Sequence, residues 1–284
     1  MAVVGALNVS PESFHAGSVH TTGEDLLVAA LAMVEAGAAL IDVGARSTAP
    51  YLETGISDEA ERERLVRAID LLASKVPVPI SADTTRPGPA RAALDAGARI
   101  INDVSGLRDP EVAALVSDRR VGLILMASPE GVGVGPSRAP RGPDPDPDAG
   151  STTLDPVGVV RDLLAGGLRR TRAAGIPDER VVLDPGIGFF RNEAVAWDEW
   201  DVRVLAGLGA LGALGRPLCI GVSRKSFLGA ITGRQRPDER LAGSLAATTI
   251  AVWNGAALIR AHDVAETLEV VRVAERIREA SRAL

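Results

Sequence analysis

The stretch Gly221-Val222-Ser223-Arg224-Lys225-Ser226-Phe227-Leu228-Gly229 sets two adjacent cations and two hydroxyls between an apolar run, Pro217 to Val222, and a helix-forming segment. Cations at a strand-to-helix turn suit a core poorly. They suit an anion well, because backbone N–H groups at a helix start already point at it. Polar groups close the other apolar runs too. Asn8 ends the first. Asp42 lies in the second, which runs on into Arg46, Ser47 and Thr48. Asp83 and Thr84 end the third, Asn102 and Asp103 the fourth, and Met126 the fifth. Asp184 leads Pro185-Gly186-Ile187-Gly188-Phe189 after the sixth, and Arg260, His262 and Asp263 end the last. A lone buried Asp or Asn is more often a structural hydrogen-bonder than a ligand. So many convergent polar ends point instead to a small-molecule site.

The residue types narrow the chemistry. Asp83 and Asp184 are acceptors, suited to a ligand edge rich in N–H groups, and Asn102 can both donate and accept. Lys225, Arg260 and His262 supply positive charge, and Arg224 is open between ligand and ion pair. Three histidines and one cysteine in the whole chain argue against zinc. His15 and His20 lie in a loop and read as solvent-exposed. A Mg²⁺ ion held by Asn8 and ligand phosphates is feasible, since that ion favours few protein oxygens plus phosphate.

These groups need a scaffold that brings strand ends together. Apolar runs at Val3–Leu7, Leu40–Val43, Val78–Ser81, Ile100–Ile101 with Val104, Val121–Met126, Val181–Leu183, Leu218–Val222 and Ala257–Ile259 read as strands. Helical patterns follow them at Glu24–Glu35, Asp58–Ser74, Pro87–Ala96, Pro110–Val116, Pro156–Ala174, Ala194–Leu214, Leu241–Trp253 and Val264–Ala283. Several end in the glycine stop expected of a helix C-terminus, as in Ala36-Gly37-Ala38. Eight β-then-α units over 284 residues favour an α/β fold of the closed (β/α)8 TIM-barrel type. An open Rossmann-like sheet is the alternative, but no Gly-x-Gly-x-x-Gly follows the first strand. Catalytic groups of such barrels sit at the C-terminal strand ends, with phosphate on the side of strands 7 and 8. One domain, 1–284, is expected. Its rhythm is broken at about 130–151, where nine glycines and prolines between Gly131 and Pro147 read as a long loop. A tolerated insertion is the preferred reading over a lid.

Composition limits the partners. Hydrophobic residues make up 46% and charged residues 24%, ordinary for a globular protein. The net charge of −6 offers no general basic surface for nucleic acid or membrane. The lone Cys219, inside an apolar run, rules out an internal disulfide and reads as an inert buried thiol. Met1-Ala2-Val3-Val4-Gly5 lacks the basic start of a signal peptide, and no stretch is long and apolar enough to span a membrane, so a cytoplasmic location is expected.

Taken in order, these motifs resemble the dihydropteroate synthase family of pterin-binding enzymes. Leu7-Asn8-Val9-Ser10-Pro11-Glu12-Ser13-Phe14 is similar to the family's opening motif. Ile41-Asp42-Val43-Gly44 with Ser47-Thr48, Ser81-Ala82-Asp83-Thr84 and Ile101-Asn102-Asp103 resemble its next three. Leu183-Asp184-Pro185-Gly186-Ile187-Gly188-Phe189, Ser223–Gly229 and Arg260-Ala261-His262-Asp263-Val264 match the later ones. The resemblance spans almost the whole chain. It implies a transferase of folate biosynthesis that condenses 6-hydroxymethyl-7,8-dihydropterin pyrophosphate with p-aminobenzoate. It also implies that Asp83, Asn102, Met126, Asp184 and Lys225 bind the pterin. Asn8, Arg260 and His262 would bind the pyrophosphate, with Mg²⁺ on Asn8. Phe14, Ser47, Thr48, Pro50 and Ser226 would receive p-aminobenzoate. Asp83, Lys225, Arg260 and His262 would form the catalytic set, in a homodimer of a family targeted by sulfonamides.

The departures are concentrated. The family's Glu-Ser-Thr-Arg-Pro-Gly loop reads Arg46-Ser47-Thr48-Ala49-Pro50-Tyr51 here, so the only guanidinium of that loop moves three positions earlier. After strand 5 the family's Met-His-Met reads Met126-Ala127-Ser128. These changes bear on the p-aminobenzoate side. A pterin-dependent methyltransferase, a non-catalytic pterin-binding paralogue and a Schiff-base aldolase using Lys225 are the alternatives. The cationic set counts against the methyltransferase. An aldolase would leave Asp184 without a role.

Overall fold

The structure is a computed structural model that describes residues 1–10, 23–46, 55–129, 154–191 and 194–282. Its strands are β1 (Ala2–Asn8), β2 (Leu40–Gly44), β3 (Ile80–Asp83), β4 (Ile100–Asp103), β5 (Gly122–Met126), β6 (Val181–Asp184), β7 (Cys219–Ile220) and β8 (Leu258–Ala261). All pairings among them are parallel, in the order β6-β5-β4-β3-β2-β1-β8-β7. A parallel bridge between Leu183 and Leu218 joins β6 to the residue before β7, bringing the two ends of the sheet together as a barrel. The helices around it are α1 (Gly23–Glu35), α2 (Asp58–Ala73), α3 (Pro87–Asp95), α4 (Pro110–Asp118), α5 (Pro156–Ala173), α6 (Trp197–Ala206), α7 (Ser226–Thr232), α8 (Leu241–Trp253) and α9 (Val264–Arg282).

Helix starts follow elementary capping. Ser57, Asp109 and Asp155 each accept a backbone N–H of their own first turn, and prolines open α3, α4 and α5. The expected β3 moves forward to Ile80–Asp83, because Pro77 and Pro79 have no N–H to give a ladder. The expected helix at 194–214 divides. α6 stops at Ala206, and a 3-10 helix runs over Leu208–Leu214, where Gly207, Gly209 and Gly212 weaken an α-helix.

Side chains alternate across each strand, so each strand serves two cores. The outward residues pack on the helices in one large apolar cluster. The inward residues Val4, Leu40, Ile100, Ile124, Val182, Cys219 and Leu258 form a small plug inside the barrel. Two residues further along, the same inward rows carry Asp42, Asn102, Met126, Asp184, Gly221 and Arg260. The barrel is thus apolar at its base and polar at the C-terminal strand ends. Cys219 belongs to the plug, fully buried, and burial raises its thiol well above the ordinary range, as an inert cysteine requires.

Candidate active site

Residues from strands that are not neighbours meet across the barrel interior. Asn102 of β4 donates from Nδ2 to Asp42 Oδ2 of β2 at 3.1 Å. Arg260 of β8 donates from Nε to the same oxygen at 2.6 Å, and its Nη2 lies 3.7 Å from Asp83 Oδ2. Asp42 is wholly buried, and its carboxylate is answered there by the Arg260 guanidinium and the Asn102 amide. Burial works against the guanidinium, but Asp42 and then Asp83 outweigh it and hold Arg260 above its ordinary range. Asp42 is therefore the organiser of this cluster. Its sequence signal was a carboxylate in the middle of an apolar strand.

Unsatisfied acceptors remain around that pair. Asp83 Oδ1 and Asn102 Oδ1 are buried without a hydrogen-bond partner among the described residues. Burial first, and then the Asp42 carboxylate, push Asp83 up to about 7. A buried acceptor left open is costly unless a ligand completes it. Asn8 Oδ1 and Asp83 Oδ2 converge nearby, 3.4 and 3.7 Å from the point a Cβ on Gly44 would occupy. The bare glycine leaves that corner open.

Opposite stand β6 and the turn after β7. Asp184 Oδ1 accepts from Gly186 N at 2.7 Å, and burial raises its carboxyl although Lys225 opposes the shift. Gly186 has φ +73°, and a Cβ there would lie 2.5 Å from Ala127 O, so only glycine turns the chain at this point. Lys225 donates from Nζ to Ile187 O and stands 5.0 Å from the centre of the Phe189 ring. Burial lowers its ammonium, while Asp184 and Asp201 favour it. Met126, 2% exposed, pairs in register with Asp184 and forms part of the floor.

The two cations of the turn part company. Arg224, at φ +57°, binds Asp263 through Nε at 2.8 Å and Nη2 at 2.5 Å, and Pro237 O at 3.0 Å. The choice left open for Arg224 resolves to an ion pair that ties the turn to the start of α9. Lys225 goes to the barrel mouth. His262 Nδ1 is 3.0 Å from Ser223 Oγ, which also accepts His262 N at 3.2 Å, so Ser223 orients the ring. Ser226 opens α7 at intermediate exposure. Arg46 lies against the β3 turn and Glu61 of α2. Its Nε is 3.3 Å from Glu61 Oε2 and its Nη2 donates to Thr85 Oγ1 at 3.4 Å. Phe14, Ser47, Thr48, Pro50 and the 130–151 loop lie outside the described residues.

The structure thus brings together Asn8, Asp83, Asn102, Met126, Asp184, Lys225, Arg260 and His262. Sequence reasoning passed over Glu61, Ser223 as orienter, and Asp201. Asp201 had a signal. It shares the buried face of α6 with Trp200, Val204 and Leu205, so it is a carboxylate in an apolar stripe.

A parallel barrel with acceptors and cations gathered at its C-terminal strand ends is, in class, a barrel enzyme scaffold with a small-molecule site at its mouth. Comparison with known proteins is specific. Residues 4–262 match the family model described as pterin binding enzyme. The dihydropteroate synthase of Synechocystis sp. is 36% identical over 275 residues, covering 96% of this chain and 89% of the relative. That of Escherichia coli is 35% identical over 273 residues, covering 96% and 90%. Among solved structures, Yersinia pestis dihydropteroate synthase with a sulfonamide drug complex aligns with a TM-score of 0.84 at 33% identity, covering 98% of this chain and 94% of that one. Xanthomonas albilineans dihydropteroate synthase with 4-aminobenzoic acid aligns at 0.80 and 37%, covering 98% and 93%. The chain belongs to the pterin-binding enzyme family.

Proposed function

We propose that this protein acts as a dihydropteroate synthase, a transferase that joins 6-hydroxymethyl-7,8-dihydropterin pyrophosphate to p-aminobenzoate, giving 7,8-dihydropteroate and pyrophosphate. The observation that carries the reading is the set of buried, incompletely bonded acceptors, Asp83 and Asn102, facing Asp184 and Lys225 within a barrel of this family. In this reading Asp184 accepts paired hydrogen bonds from the amino and imino N–H groups of the pterin. Asp83 and Asn102 take the other polar edge, Met126 supports the ring, and Lys225 donates to it. Asn8, Arg260 and His262 hold the pyrophosphate. Arg260 comes to this task already charged and fixed by Asp42, so little reorganisation is needed as charge develops on the leaving oxygen.

The reaction breaks the C–O bond between the pterin methylene and the pyrophosphate, which leaves with the bonding pair. The arylamine nitrogen gives its lone pair to that carbon, the C–N bond forms, and the nitrogen releases a proton. Ser226, with Phe14, Ser47, Thr48 and Pro50, receives p-aminobenzoate. Among the described residues no group of three or more His, Cys, Asp or Glu could cage a metal, so Mg²⁺ would depend on substrate oxygens beside the amide oxygen of Asn8. That donor set fits a hard cation, and when bound it neutralises charge on the pyrophosphate. The protein works as one domain, as a homodimer, in the cytoplasm. Among the described residues no helix is long and apolar enough to cross a membrane. Trp253 and Ile250 of α8 and Val273 and Ile277 of α9 are 47–60% exposed and offer an apolar surface for the second copy.

The deciding experiment mixes purified protein, dihydropterin pyrophosphate and Mg²⁺, and follows pyrophosphate and dihydropteroate with and without p-aminobenzoate. Release that requires p-aminobenzoate is expected. Pterin binding without turnover overturns the synthase reading in favour of a non-catalytic paralogue.

A further inference from the structure

Asp201 has no exposed surface and lies on α6, behind the turn that follows β6. Its Oδ1 accepts Gly188 N at 2.7 Å, and its Oδ2 is buried with no hydrogen-bond partner among the described residues. Gly188 is the middle of three residues that wrap Lys225. Ile187 O accepts its ammonium, and the Phe189 ring stands under it at 5.0 Å. At Gly188, φ is +85° and a Cβ would come within 2.9 Å of Lys225 Cδ, so the lysine stem runs against bare backbone. Next to Asp201, Trp200 stacks on Phe190 with ring centres 4.7 Å apart at 17°. The turn is therefore gripped from behind by two consecutive residues of α6 and presents Lys225 in front.

A carboxylate is not needed to cap one amide, since a neutral side-chain oxygen would serve, and burying a charge is costly unless another charge answers it. We propose that Asp201 is a positioning residue for Lys225, fixing the Ile187–Phe189 turn that seats the lysine and supplying the negative charge that keeps it an ammonium while ligand occupies Asp184. The inference rests on the pterin reading of Asp184 and deepens it. The charged groups acting on Lys225 come from four places. Asp184 on β6 and Asp201 on α6 favour the ammonium; Arg260 on β8 and Arg191 after β6 disfavour it. Asp201 itself is raised by burial to about 6, opposed by the Gly188 N–H, Lys225 and Arg191 and aided by Asp198. The pterin N–H groups engage the Asp184 carboxylate directly, whereas Asp201 acts on Lys225 from behind the turn, through Gly188.

The test is D201N, which keeps an acceptor for Gly188 N but removes the charge, with D201A, which removes both. Calorimetric affinity for dihydropterin pyrophosphate is measured from pH 6 to 10, beside urea unfolding. D201N is expected to unfold at the wild-type midpoint, to bind the pterin about tenfold more weakly, and to lose affinity at a lower pH than wild type. The sign follows from charge: without the carboxylate, Lys225 gives up its proton more readily. Introducing Lys225→Arg, which stays charged throughout, should abolish that pH displacement. D201A should add a loss of stability. An unmoved alkaline limb in D201N, or a uniform loss that Lys225→Arg leaves in place, overturns the proposal. If D201N does not fold, D201S, another neutral oxygen acceptor, carries the same test. Because binding is the readout, failure of turnover with p-aminobenzoate would sink the synthase reading without touching this one.

Discussion

Two buried carboxylates flank the end of β3 and meet opposite fates. Glu61, reaching in from α2, is completely employed. Oε1 takes the Thr84 hydroxyl at 2.6 Å, and Oε2 takes Arg86 Nη1 at 2.9 Å with Arg46 Nε at 3.3 Å. Asp83, one residue before Thr84, faces the barrel interior, has Arg260 Nη2 at 3.7 Å, and leaves Oδ1 unbonded among the described residues. The first is finished within the fold, so its work is structural: it fastens α2 to the β3 turn. The second is held incomplete, with an open acceptor among the described residues. Buried polar groups divide by whether their hydrogen bonds close internally.

Breaking each side separately should give effects of different kind. The largest is expected at Glu61→Ala, which leaves the guanidinium groups of Arg46 and Arg86 without their buried anion. Urea unfolding should show a loss of about 3–5 kcal/mol. Lys225→Met comes next. The near-isosteric apolar chain should leave stability close to wild type, while kcat/KM for the pterin substrate falls by about 10²–10³ in steady-state assays of dihydropteroate formation. A comparable loss of stability would mean that Lys225 is a structural partner like Glu61's cations.

Asp83 sharpens the comparison through pH. Its carboxyl is raised from 3.8 to about 7 in the fold, so between those values the native state holds the extra proton. Its contribution to stability is complete below 3.8 and fades as pH rises through about 7. Denaturation of ligand-free protein across that range should therefore slope downward more in wild type than in Asp83→Asn. Pterin affinity of the wild type should rise over the same range, as the acceptor ionises. The smallest effect is expected at Arg224→Lys, which replaces a forked contact with Asp263 by a point charge. About 1–2 kcal/mol of stability should be lost, seen as a lowered Tm, with the pterin affinity nearly kept.

Much of the scaffold was legible because parallel barrels announce themselves. Inward and outward faces are both buried, so strands read as apolar runs, and prolines mark the starts of α3, α4 and α5. Leu241–Trp253 and the start of α2 at Asp58 emerge as expected. Boundaries shifted where proline or glycine altered hydrogen bonding, as before β3 and after α6. β7, expected over Leu218–Val222, pairs only at Cys219–Ile220, because Leu218 bridges to β6 and the chain then turns toward Lys225. Of the polar strand ends named in sequence, Asp42, Asp83, Asn102 and Arg260 meet in the barrel interior, whereas Thr84 bonds Glu61, Asp103 caps its own turn and Asp263 pairs with Arg224.

The sequence by itself determined the order of β/α units, the apolar runs and the polar residue at nearly every strand end, since these depend on local period and residue type. Only the tertiary structure decided who partners whom. Arg260 meets Asp42 across 218 residues of chain, Arg224 turns to Asp263 while its neighbour turns inward, and Arg46 closes on Glu61. Those choices are set by which side chains cross the barrel interior and which pass behind it. The closure of the sheet fixes that geometry, and residue spacing does not encode it.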